Sequence, residues 1–139
     1  MDSLRNFWKD LYGFSHEVIV VNAFYENVNR HKFEHRELGP GEEIENVVLE
    51  FKPRPAHDML IACVLSKWSA PGQPDLLSFA AITHEPPAEV AAAGHDRCII
   101  QIRPENLDAW LNPDPNNLAA MDTILEEKAR QYYEHRLTA

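Results

Sequence analysis

Two residues in this chain have the chemistry for proton transfer. Glu26 ends the segment Asn22-Ala23-Phe24-Tyr25-Glu26, behind an apolar run and two aromatics. A carboxylate at the end of a buried strand is partly desolvated, which raises its pKa and suits it to general acid work. His95 stands in Gly94-His95-Asp96-Arg97, between a short helix and a strand that returns to the core. An imidazole ordinarily titrates near physiological pH, and Asp96 is placed to orient it. By position alone each residue also has a structural reading, as a solvated glutamate at a strand end and as an exposed loop histidine.

A third group points to different chemistry. His31-Lys32-Phe33-Glu34-His35 fits H-x-x-E-H, the inverted zinc-protease pattern, whose histidines hold the metal from one helix face. The pattern needs a helix that faces a cleft, and a further ligand. Val28, Phe33 and Leu38 trace no helical stripe, and Gly39-Pro40-Gly41 cuts any helix short. A zinc hydrolase through His31, Glu34 and His35 is the weaker alternative, so no metal or other cofactor is expected.

These residues must be positioned by the elements around them. Leu4, Phe7, Trp8 and Leu11 share one face of a short helix that Gly13 can end. Val18 to Val21 has the apolar continuity of a strand buried on both faces, whereas residues 22–37 are polar and ambiguous. Val47 to Phe51 is a strand expected to stop at Pro53 and Pro55, and Met59 to Leu65 and Leu76 to Thr83 are two more. Pro86-Pro87 can open a short helix over Ala88 to Ala93, closed near Gly94. Cys98 to Ile102 resumes strand character. Helices follow from Pro104 to Leu111 and from Asn117 to about Gln131, the second with Leu118, Met121, Ile124 and Leu125 on one face. The pattern predicts an α+β fold, a mostly antiparallel, barrel-like sheet core with peripheral helices.

With 139 residues and no internal repeat or long linker, the chain is expected to form one domain that buries roughly two-thirds of its unfolded surface. No apolar run is long enough to span a bilayer and the start does not read as a signal peptide, so a cytoplasmic protein is expected. Cys63 and Cys98 sit in apolar segments, where free thiols act as small buried hydrophobes. A net charge of −9 makes the chain a poor nonspecific DNA binder by itself. Its local basic segment, Arg30-His31-Lys32 and His35-Arg36, is interrupted by Glu34 and Glu37. Both a solvated mixed-charge segment and a phosphate contact remain open for it.

An ordered set of motifs spans nearly the whole chain. Val18 to Val21 leads into Phe24-Tyr25-Glu26, then Ile61-Ala62-Cys63 runs to Trp68, then Leu77 to Thr83. Glu89-Val90-Ala91, Gly94-His95-Asp96-Arg97, Pro104 to Leu111 and a closing Tyr132 to Leu137 follow. This set resembles the SOS response-associated peptidase (SRAP) family. The resemblance implies a DNA-damage-response domain that binds single-stranded DNA carrying an abasic site and crosslinks itself to the lesion. In the family, a cysteine exposed by removal of the initiator methionine attacks the ring-opened sugar aldehyde through its α-amine, and its thiol closes a thiazolidine. The family's glutamate, which assists ring opening and proton transfer, maps onto Glu26, and its acid/base histidine onto His95. Thr83 and Arg97 are the implied DNA contacts. The peptidase of the family name refers to self-processing of the amino terminus.

The chain departs from the pattern at its start, where Met1-Asp2 stands instead of a cysteine. A supporting asparagine and an arginine-rich surface are missing with it. The expectation is therefore a single SRAP-like domain over residues 1–139, truncated at its amino terminus and inactive unless a longer start or a complementing chain supplies the cysteine. Cys63 and Cys98 cannot replace it, because neither has a free α-amine. Cys98-Ile99 also stands where the family has Met-Pro. The alternative is a noncatalytic remnant that serves as a binding or structural module. Strand edges and apolar surface left uncovered by the missing portion make a homo-oligomer an expected partner.

Overall fold

The computed structural model describes residues 10–138. The helix expected at Leu4, Phe7, Trp8 and Leu11 falls mostly outside these residues. The chain forms two compact units: one runs to Val20 and adds Met59–Thr83 and Ile99–Arg130, the other comprises Val21–Asp58, His84–Cys98 and residues from Gln131. The fold is α+β, and the strand pairs whose register is defined are antiparallel.

In the first unit, β1 (His16–Val21), β4 (Met59–Trp68) and β5 (Leu76–Ala81) form a sheet in the order β1-β4-β5. The strand enclosed most completely is the central β4, where Ile61, Ala62, Cys63 and Val64 are buried. The expectation that Val18 to Val21 is buried on both faces is corrected, since β1 lies at the sheet edge and Val20 is 61% exposed. An apolar run marks a strand but does not say which neighbours it has. On the opposite edge, Leu76, Leu77 and Phe79 of β5 are also exposed.

The core of this unit gathers Ala62, Val64, Ile82, Ile100 and Ile102 with Trp110 of α3 (Leu107–Leu111) and Met121, Ile124 and Leu125 of α4 (Leu118–Glu126). Asn117 caps α4 by accepting from the Ala120 N–H. This helix ends at Glu126, short of the expected Gln131. The carbonyl of Glu127 accepts from Arg103 Nε at 2.5 Å, and the Ala129 N–H donates to the Gln101 carbonyl, which turns the chain away from helix geometry. The expected strand from Cys98 to Ile102 shortens to β7 (Cys98–Ile99), paired with β6 (Thr83–His84), and a bridge between Ile61 and Gln101.

In the second unit, β2 (Phe24–Asn29), β3 (Asn46–Arg54) and β8 (Tyr132–Leu137) form an antiparallel sheet in the order β2-β3-β8, accompanied by α1 (Arg30–Phe33) and α2 (Ala88–Ala92). Alternation puts Phe24 and Val28 of β2 and Val47, Leu49 and Phe51 of β3 on the buried face. Phe24 stacks on Phe51 and meets the edge of Tyr133. Of the two prolines expected to stop β3, Pro53 lies within the strand, which ends at Arg54, immediately before Pro55. The Tyr133 N–H opposite Pro53 donates to Glu89 Oε1, so Pro53 and Tyr133 form a non-hydrogen-bonded pair. The missing N–H of Pro53 then faces the side on which β2 has already ended, where it costs no ladder bond.

Candidate functional site

Glu26 lies inside β2, not at the end of the preceding strand. Its side chain shares the inward row with Phe24 and Val28 and lies across from the buried Leu49. Burial raises the pKa of its carboxyl; His95 opposes that effect and Asp96 adds to it, and the net direction is upward. A strand residue with apolar neighbours two positions away on either side is desolvated by geometry alone. Glutamate is an unusual occupant of such a position.

His95 is carried by the turn that leaves α2. The Gly94 and His95 N–H groups bond to the carbonyls of Ala91 and Val90, and Gly94 takes φ +101°. This turn brings His95 Nε2 to 3.2 Å from Glu26 Oε2, with the two side chains 19% and 25% exposed. The carboxylate that engages the ring is thus Glu26, whereas Asp96, expected to orient it, makes no hydrogen bond to it among the described residues. His95 also lines an open cleft of about 780 Å³, together with Lys32, Arg36, Glu85 and Asp96. Glu26 is outside the lining, but its side chain is no less exposed than the imidazole, so both members of the pair reach solvent. A proton-transfer pair that reaches solvent beside a cleft can exchange protons with a bound molecule.

Of the other expected site residues, Arg97 belongs to the same unit as this pair, while Thr83 lies in β6 and belongs to the first unit. Both are partly buried and engaged with neighbours. The H-x-x-E-H residues do not share a helix face, because α1 is a single turn that ends at Phe33 and His35 takes φ 55°. Glu34 is bound instead to Arg36 at 3.2 Å and Arg30 at 3.8 Å. Among the described residues no three His, Cys, Asp or Glu side chains are grouped to hold a metal ion. Arg36 also makes a two-pronged pair with Glu42, at 2.7 Å for each bond, and Arg30 pairs with Glu45. The charge of the basic segment is therefore largely neutralised within the fold. Cys63 and Cys98 are buried and form no disulfide, and burial pushes the Cys63 thiol up to about 11.

A second polar row went unread in the sequence. On the outward face of the β2-β3-β8 sheet, Tyr25, Glu50 and Arg136 lie directly across from one another on the three strands. The Tyr25 hydroxyl donates to Glu50 Oε2 at 2.6 Å and Arg136 Nε donates to Glu50 Oε1 at 2.8 Å, and together they hold the carboxyl down at about 2. The only sequence signal was a glutamate within the apolar run of β3. No helix of the described residues is long and apolar enough to cross a membrane.

The fold has solved relatives. A phage-related protein from Bordetella bronchiseptica superposes with a TM-score of 0.64 at 17% identity, over 99% of this chain and 61% of that one. A second protein from the same organism gives 0.66 at 13% identity, over 97% of this chain and 58% of that one. The chain thus spans about three-fifths of the length of these structures. No curated protein matches it. By sequence, residues 2–138 match the family described as SOS response associated peptidase, and the chain belongs to that SRAP family.

Proposed function

We propose that this chain is the proton-transfer part of a protein that binds single-stranded DNA and crosslinks to abasic sites, with Glu26 and His95 as its acid/base pair. The observation that carries this proposal is the 3.2 Å contact between Glu26 Oε2 and His95 Nε2, with the imidazole on the wall of a cleft. Opening the abasic sugar requires a base to take the proton of its anomeric hydroxyl while the ring oxygen gains one. His95, as the cleft-facing member, exchanges these protons with the sugar. Glu26, whose carboxyl burial drives toward the protonated form, takes up or returns them through its contact with His95. The aldehyde then condenses with the amine of an amino-terminal cysteine, with loss of water, and the thiol adds to the imine carbon while its proton passes to nitrogen. Cys63 and Cys98 are unsuited to that role, being buried and internal to the chain. This reading requires an amino-terminal cysteine supplied to the chain. Thr83 and Arg97 are carried over as DNA contacts on the family pattern.

The test is a chain led by the cysteine segment, incubated with a single-stranded oligonucleotide carrying one abasic site and separated under denaturing conditions. A covalent adduct is expected with this form and not with undamaged DNA. Absence of an adduct even from the cysteine-led form would sink the proposal. One observation favours a noncatalytic binding module instead: Arg30 and Arg36 are paired with carboxylates, which leaves them little charge for phosphates. In that case substitutions of Glu26 and His95 leave any DNA affinity unchanged.

A further inference from the structure

We infer that Gly94 is a positioning residue for the Glu26–His95 pair: the absence of a side chain lets the His95 turn seat on the backbone of α1, and that seat sets the distance between the two groups. Its role in the reaction rests on the function proposed above. A Cβ built at Gly94 would lie 3.2 Å from the Phe33 nitrogen and 3.3 Å from both the carbonyl carbon and the Cβ of Lys32. Two of these three atoms are backbone, and α1 is braced by the bond from the Glu34 N–H to the Arg30 carbonyl at 2.9 Å. Such neighbours cannot swing aside as a side-chain tip can.

The chain path turns this contact into a gauge. β2 passes directly into α1 through Asn29, so Glu26 and the surface under Gly94 belong to one unbroken segment, Phe24 to Phe33. His95 is the residue after Gly94, and the turn is held from its other side by the end of α2 through the Gly94 and His95 N–H bonds. Any added atom at Gly94 pushes the turn away from α1, and His95 moves with it relative to Glu26. This also gives the Lys32-Phe33 stretch a role apart from metal or phosphate: its backbone is the docking surface.

The proposal is tested by Gly94→Ala, with Gly41→Ala as the control. Gly41 takes φ +74° with nothing within 4 Å of its built Cβ, so the control carries the conformational strain without the collision. In imidazole-labelled protein, the hydrogen-bonded Nε2–H signal of His95 is identified by its loss in Glu26→Ala. We expect Gly94→Ala to lose that signal while remaining folded, and Gly41→Ala to keep it. In the cysteine-led form, adduct formation should slow by about tenfold or more in Gly94→Ala only, as expected when reacting groups are misplaced by a fraction of an ångström or more. If Gly94→Ala does not fold, Gly94→Asn, which tolerates positive φ better but brings the same Cβ, must show the same loss. Retention of the signal and the rate in the folded Gly94 variant overturns the positioning role. Unchanged adduct formation in Glu26→Gln and His95→Gln would instead overturn the proposed function, and the NMR comparison would still decide the role of Gly94.

Discussion

His16 stacks on Trp110 with ring centroids 3.9 Å apart, and its Nδ1 lies 2.9 Å from the Trp110 carbonyl oxygen. The other nitrogen, Nε2, accepts from the Gly13 N–H at 2.8 Å, which places the proton on Nδ1 and fixes the ring as neutral. Burial lowers its pKa from 6.5 to about 4. Between those values the unfolded chain binds the proton and the folded chain does not, so stability is full above about pH 6.5 and falls as the pH drops toward 4. The loss attributable to this group is at most about 3 kcal/mol. Urea titrations across that range should show the decline, and His16→Gln should flatten it at the cost of lower stability at pH 7. An unchanged slope in the variant would remove His16 as its source.

The Glu26–His95 pair should behave as a unit. Glu26→Gln and His95→Ala are each expected to slow adduct formation by the cysteine-led form by about a hundredfold, and the double variant little more. Single-turnover rates on abasic oligonucleotide measure this. Independent, multiplicative losses would mean that the two side chains do not share one proton path.

On the outer face of the second sheet, Glu50 stabilises the fold through its charge. Its pKa is held from 4.5 down to about 2 by Arg136 and Tyr25, so its stabilisation is present above pH 4.5 and is lost as the pH falls through 2. Glu50→Gln should lower the melting temperature at pH 7 and have a smaller effect near pH 2. Equal losses at both pH values would contradict the role of the charge.

Native thiols should be inert. Cys63 and Cys98 are buried, so a thiol reagent should modify neither at an appreciable rate until denaturant is added. Rapid labelling of folded protein would contradict their burial.

Metal removal should have no effect. With His35 beyond the end of α1 and Glu34 bound to two arginines, a chelator is expected to leave the unfolding midpoint unchanged, and elemental analysis should find no stoichiometric zinc. Bound zinc released together with stability would revive the H-x-x-E-H alternative.

Elements with a continuous apolar pattern were legible in the sequence: β4, α2 with its closing glycine, and α3 lie close to where periodicity puts them. β2 was not, because the inward row Phe24, Glu26, Val28 has a carboxylate in its middle, and that substitution hides the alternation. β8 was hidden for a related reason, since Tyr133 is its only buried residue. Pro53 looked like a stop because whether a missing N–H matters depends on which neighbour it faces, a property of register and not of local sequence. The same applies to the site. The ordered family motifs singled out Glu26 and His95, but their contact depends on a turn, a single-turn helix and a strand order that no spacing rule encodes.

Alternation along β2 also constrains how length can vary. A residue inserted between Phe24 and Glu26 would rotate the carboxylate onto the face occupied by Tyr25, away from His95, while leaving composition and motif almost intact. The segment from Glu37 to Glu43, between α1 and β3, carries no such phase and can lengthen or shorten with little effect on the pair. Insertions and deletions in natural variants that keep the chemistry should therefore fall in the second interval and avoid the first.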